Sequence, residues 1–187
     1  MIRPQRAADP LFSIEGPSYS PQRQPSQAGW NDLFQNLARI DRNNLVKVAL
    51  ELVDESGKPR EDSDTAPLEP SQLWRLIGGL RGLEILEKNS ELLIDLAFYV
   101  QQWYPEALVI AERLRLDNRE MNWLVARLKG ADRMGNLKIS FPHYARRAVA
   151  VYYRMTRRVL DLYEMGNFSM LSDLQKALQV QSSCHRD

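Results

Sequence analysis

Seven basic residues, Arg133, Lys138, Arg146, Arg147, Arg154, Arg157 and Arg158, lie between Arg133 and Leu160, with no Asp or Glu among them. The whole chain is nearly balanced, 25 Lys and Arg against 24 Asp and Glu, so this stretch is a local concentration of positive charge. Arginine carries a planar, permanently charged fork that matches carboxylate or phosphate oxygens. The chemistry implied is oriented ionic docking rather than bond-making. On a helix of about 3.6 residues per turn, His143, Arg146, Arg147, Arg154, Arg157 and Arg158 fall within an arc of about 120°. Tyr144, Ala148, Val151, Tyr152, Met155, Val159 and Leu162 occupy the opposite side, which is an amphipathic division.

This stripe supports a non-enzymatic interaction or adaptor subunit that docks an acidic protein surface, with Arg133 and Lys138 extending the basic face. A second reading is nucleic-acid binding through backbone phosphates without base readout. Only Tyr153 stands at the edge of the arc to offer a stacking platform. A small-molecule enzyme is a third reading. Against all of them stands a plainer expectation, that the chain's own acids neutralise the stripe. Asp161 is within reach of Arg157 and Arg158 along the helix, and the acids of 51–69 are candidates from elsewhere.

Catalytic and metal chemistry find little material. The histidines are His143 and His185, and the only cysteine is Cys184. No Glu-x-x-His pair or zinc-like cysteine spacing occurs. No serine is marked as activated beside His143. We expect no catalytic residue, cofactor or metal. Among the four tryptophans, Trp30 and Trp103 are candidate interface anchors, since Trp is enriched at such positions. Trp74 and Trp123 fall at apolar helical positions and are expected in the core.

The elements that must position these residues are helical throughout. Residues 1–29 are rich in Pro and Gln and read as a disordered arm. A small apolar cluster, Leu11, Phe12 and Ile14, lies within it as a possible docking motif. Residues 30–180 read as one domain of about seven helices, in an antiparallel bundle or short α-solenoid. Residues 181–187 read as a flexible tail. The expected helices begin near Asn31 as N-cap and restart near Asp41. An exposed acidic loop at about 55–69 follows. Pro70 then opens a helix to about Lys88 that contains Gly78, Gly79 and Gly82, a pattern that asks for a kink or a close backbone neighbour. Ser90 is expected to cap the next helix, and Pro105 to open another ending near Leu116. Asp117-Asn118-Arg119-Glu120 has the form of a capping box starting a further helix to Gly130. After a loop at 131–140, Pro142 opens the arginine-bearing helix, and Ser169 caps a final short one. The most apolar run, Leu92 to Val100, contains Asp95 and is far short of the ~20 residues a membrane helix needs. With no apolar leader-like segment after Met1, a cytoplasmic location is expected.

Overall fold

In the computed structural model, residues 29–38, 40–60 and 66–178 are described. The expected arm, with its Leu11, Phe12 and Ile14 cluster, and the expected tail lie outside these, apart from Gly29. The described residues form an all-α bundle of seven helices. These are α1 (Trp30–Asn36), α2 (Arg42–Ala49), α3 (Pro70–Ile77), α4 (Gly79–Gln101), α5 (Ala107–Arg133), α6 (Leu137–Met165) and α7 (Leu171–Leu178). The three long helices α4, α5 and α6 pack on one another, joined by short turns and therefore antiparallel in succession. Around them α2 and α7 pack on α6, α1 on α4, and α3 on both α4 and α6. One apolar core draws on every helix, from Leu33 of α1 to Leu174 of α7.

Several expected helix boundaries are corrected. The expected N-cap Asn31 lies inside α1, whose N-cap is Gly29. Asp41 does cap α2, accepting from the Asn44 amide at 3.3 Å. The helix expected from Pro70 to about Lys88 breaks at Gly78. There the backbone turns left-handed at Gly78 (φ 82°) and Gly79 (φ 64°), a region open chiefly to glycine. Gly82 then rests against the end of α3, where a Cβ would stand 1.8 Å from the Ile77 carbonyl oxygen. The expected kink and close backbone neighbour are both present.

No break occurs at Ser90 or at Asp117. α4 runs through Ser90 because Leu83, Leu86, Leu93 and Leu96 keep helical spacing across it, and all four are buried. Asn89 there is a clasp instead of a break. Its side-chain amide accepts from the Ala38 N–H at 3.0 Å and donates to the Ala38 carbonyl at 2.8 Å. α5 likewise continues through the expected capping box, since Ala111, Leu114, Met121 and Leu124 carry one buried face across it. The loop expected at 131–140 shrinks to a turn over Met134, Gly135 and Asn136, and α6 starts at Leu137. Pro142 therefore lies inside α6 rather than opening it. Its missing N–H releases only the Lys138 carbonyl, close enough to the helix start to be tolerated.

Candidate functional site: an internal arginine row and an open groove

α6 is the central helix, and its arginines have to be placed within that fact. Between Ala148 and Tyr153 every residue is buried, so neighbours cover the helix on all sides at mid-length. Ala150, in the middle of the basic arc, is among them. Of the arginines on either side of this segment, Arg146, Arg147, Arg154 and Arg158 reach acids of neighbouring elements and Arg157 an acid of α6 itself.

Arg146 donates from Nε to Glu51 Oε2 at 2.7 Å and from Nη2 to the Leu68 carbonyl. Glu51 Oε1 in turn accepts from the Leu68 amide at 2.6 Å. Only 10 % of the Glu51 side chain is exposed, so this acid is enclosed between Leu68 and Arg146. That segment is further tied down by a bridge between Val53 and Pro59 and by the Tyr153 hydroxyl, which donates to the Glu55 carbonyl at 3.1 Å. Asp54 organises its turn, and hydrogen bonds from the Ser56 hydroxyl and the Lys58 amide hold the Asp54 carboxyl below its ordinary range.

Farther along α6, Arg154 pairs with Asp117 Oδ1 at 2.8 Å and Glu120 Oε2 at 3.2 Å. Arg158 takes Asp117 Oδ2, and Arg147 takes Glu120 Oε1 at 2.9 Å. The Asp117 side chain is 9 % exposed. Both acids of the supposed capping box thus face the arginine row and lock α5 to α6. Arg157 reaches Asp161 at 3.6 Å, and its covered Nε meets no acceptor among the described residues.

Arg146, Arg147, Arg154, Arg157 and Arg158 are each paired with an acid of their own chain, while the Arg147 side chain stays 44 % exposed. The plainer expectation of neutralisation from within is the one that matches, with Asp161 and Glu51 among the acids anticipated and Asp117 and Glu120 not. The remaining candidates differ. Arg133, Lys138 and His143 are exposed and make no ion pair with a described residue. His143 has only a ring contact, edge-on to Tyr144 at 5.1 Å.

Lys138 lies on the rim of a cleft where α3 meets the α5–α6 turn. The cleft encloses about 770 Å³ and is lined by Pro70, Ser71, Trp74, Asp132, Gly135, Leu137, Lys138, Phe141 and Pro142. Trp74, expected in the core, is 42 % exposed. Its ring packs on Phe141 with centroids 4.4 Å apart, leaving its outer part open. Met134 and Ile139, beside the lining residues in sequence, are 71 % and 82 % exposed. Another cavity, among Ile40, Leu45, Tyr152, Thr156 and Leu178, measures about 30 Å³ and is water-sized.

Trp123, also expected in the core, stands outside it, against Tyr144 and beneath the Arg127 guanidinium. Trp30 packs on Phe34, Tyr99 and Tyr163, so it anchors α1 to the bundle. Trp103 stays exposed beside Tyr99. Among the described residues, no group of three or more His, Cys, Asp or Glu side chains is arranged to hold a metal ion. No described helix is long and apolar enough to cross a membrane. No protein-family model, curated protein or solved structure matches this chain.

Proposed function

We propose that this chain is a non-enzymatic α-helical docking module whose groove beside Trp74 receives a peptide segment of a partner protein. The segment carries one bulky apolar side chain flanked by carboxylates. The carrying observation is the half-open Trp74 ring, backed by Phe141, in a mostly apolar cleft of about 770 Å³. That size falls within the roughly 300–1,000 Å³ of ordinary ligand sites, which combine apolar walls with a few polar groups. Lys138 on one side supplies an ammonium for a carboxylate, with Arg133 exposed nearby. Asp132 offers an acceptor for a peptide N–H. The partner is acidic, and its contact is the groove rather than the α6 arginines.

A random peptide library displayed on phage and panned on the protein tests this. The enriched peptides are expected to share an apolar anchor with neighbouring Asp or Glu. They are expected to lose affinity for Ser71→Phe, which fills the groove, and for Lys138→Glu. The reading is overturned by failure to enrich, by enrichment of basic peptides, or by binding that survives Ser71→Phe. It is also overturned if a peptide spanning Leu11, Phe12 and Ile14 displaces every enriched sequence, because the occupant is then the chain's own arm.

A further inference from the structure

α5 packs against α4 and α6, and its opposite side is left open. Val109, Leu116 and Trp123 recur at seven-residue intervals along that side, so they form one slowly drifting stripe. Their exposures are 57 %, 62 % and 46 %, among the highest of any large apolar residues described. Trp123 rests against Tyr144 and beneath the Arg127 guanidinium, but its outer part joins Val109 and Leu116 in a row of apolar surface along one helix, the kind that marks a contact site. On one flank of the stripe are Glu112 and Arg119, and on the other Arg113 and Glu120. The charge order is reversed between the flanks.

That pattern is complementary to itself. When two copies of α5 lie antiparallel, a two-fold axis brings residues on one flank against the same flank of the other copy. With the axis passing at Leu116, the two Leu116 side chains meet at the centre. Val109 of one copy then meets Trp123 of the second copy. Glu112 meets Arg119, and Arg113 meets Glu120. The Leu116 contact on the axis occurs once and each of the others twice, and each joins an apolar pair or opposite charges. Glu112 is otherwise held only by Arg115 within its own helix turn, an exposed pair of little strength. Glu120 already accepts from Arg147 and Arg154, so the Glu112–Arg119 pair carries more of the charge complementarity than Arg113–Glu120.

We infer that the open face of α5 is the interface of a two-fold homodimer, with a second copy of this chain as its occupant. The contact shares no residue with the groove beside Trp74. A helix-on-helix contact of this length belongs at the small end of specific interfaces, so the dimer dissociates on dilution.

Sedimentation velocity of the full chain across a concentration series tests the inference. The expected result is a monomer–dimer equilibrium that Leu116→Glu abolishes by opposing two carboxylates at the axis. Glu112→Arg is expected to weaken the dimer about tenfold by placing like charges together twice. Adding Arg119→Glu to that variant restores the wild-type equilibrium, because the swapped pair is again complementary. These positions are exposed, and circular dichroism checks that each variant keeps its helices. A chain that stays monomeric at millimolar concentration overturns the inference. So does a dimer indifferent to Leu116→Glu, or a charge swap that fails to restore what Glu112→Arg removed.

Discussion

Asp117→Asn removes one charge from the most enclosed part of the arginine row and keeps the side chain's size. Asp117 is 9 % exposed and holds Arg154 at 2.8 Å together with Arg158. Breaking a fully buried pair by deleting one partner costs about 3–5 kcal/mol, because the surviving charge is left without compensation. Here the survivors are less enclosed. The Arg154 and Arg158 side chains are 23 % and 31 % exposed, and Arg154 retains Glu120 at 3.2 Å. Water can reach both guanidinium groups in part, so the expected loss is about 2 kcal/mol. For a chain of this size that corresponds to a fall in Tm of roughly 4–8 °C. Urea denaturation read by circular dichroism measures it, with an unchanged m-value showing that the unfolded state is not altered. In a double-mutant cycle, Arg158→Met should cost much less in the Asp117→Asn background than alone. A loss under about 0.5 kcal/mol, the scatter of ordinary surface changes, would show that the arginines are solvated and that the row is not an internal lock.

Three further outcomes follow from the same structure. Arg146→Ala leaves the enclosed Glu51 carboxylate without its cation, so stability should fall by about 2 kcal/mol; hydrogen exchange at the Leu68 amide should accelerate with it, and unchanged protection there would refute the clasp. Gly82→Ala, which in an ordinary helix interior gains about 1 kcal/mol, should instead cost about 2 kcal/mol or more, because its Cβ would collide with the Ile77 carbonyl at 1.8 Å; a stabilised variant would contradict the tight α3–α4 corner. Burial pushes the Tyr152 phenol from 10 up to about 12 and raises Tyr163 as well. The unfolded chain therefore ionises first as pH rises, and Tyr152 should subtract about 1.4 kcal/mol of stability per pH unit between 10 and 12. Lys129, raised chiefly by its hydrogen bond to Glu87, adds a loss of the same sign, and urea midpoints that stay level across that range would refute it.

The helical class and the body of α6 from Pro142 onward were readable from periodicity alone, though not its start at Leu137, and so was the strain at Gly78, Gly79 and Gly82. What misled was local grammar. Asp117-Asn118-Arg119-Glu120 matches a capping box, yet Asp117 sits at a core-facing position in the spacing Ala111, Leu114, Asp117, Met121. An acid placed there needs a cation from a neighbouring helix, and the arginine row was the supply. Ser90 misled in the same way, because Leu86 and Leu93 carry the buried face past it. The arginine helix was read as two-sided, but the unbroken apolar run Ala148–Val149–Ala150–Val151–Tyr152–Tyr153 is the mark of a helix enclosed all round. Trp123 lies across α5 from Met121, Leu124 and Leu128, so its exposure was legible in the wheel. Trp74's was not, because the open groove depends on how the break at Gly78 sets α3 against the start of α6. Nor could spacing reveal Glu51 beneath Arg146, ninety-five residues away.

In the proposed function the groove is the recognition surface and the arginine row serves the fold. Amide and indole chemical-shift mapping of the isotopically labelled protein with an enriched peptide tests this most directly. Shifts are expected only at Ser71, the Trp74 indole, Gly135, Lys138 and Phe141, with Arg147, Arg154 and Arg158 unmoved. Shifts that instead follow α6 from Arg147 to Arg158, leaving Trp74 unchanged, would contradict it.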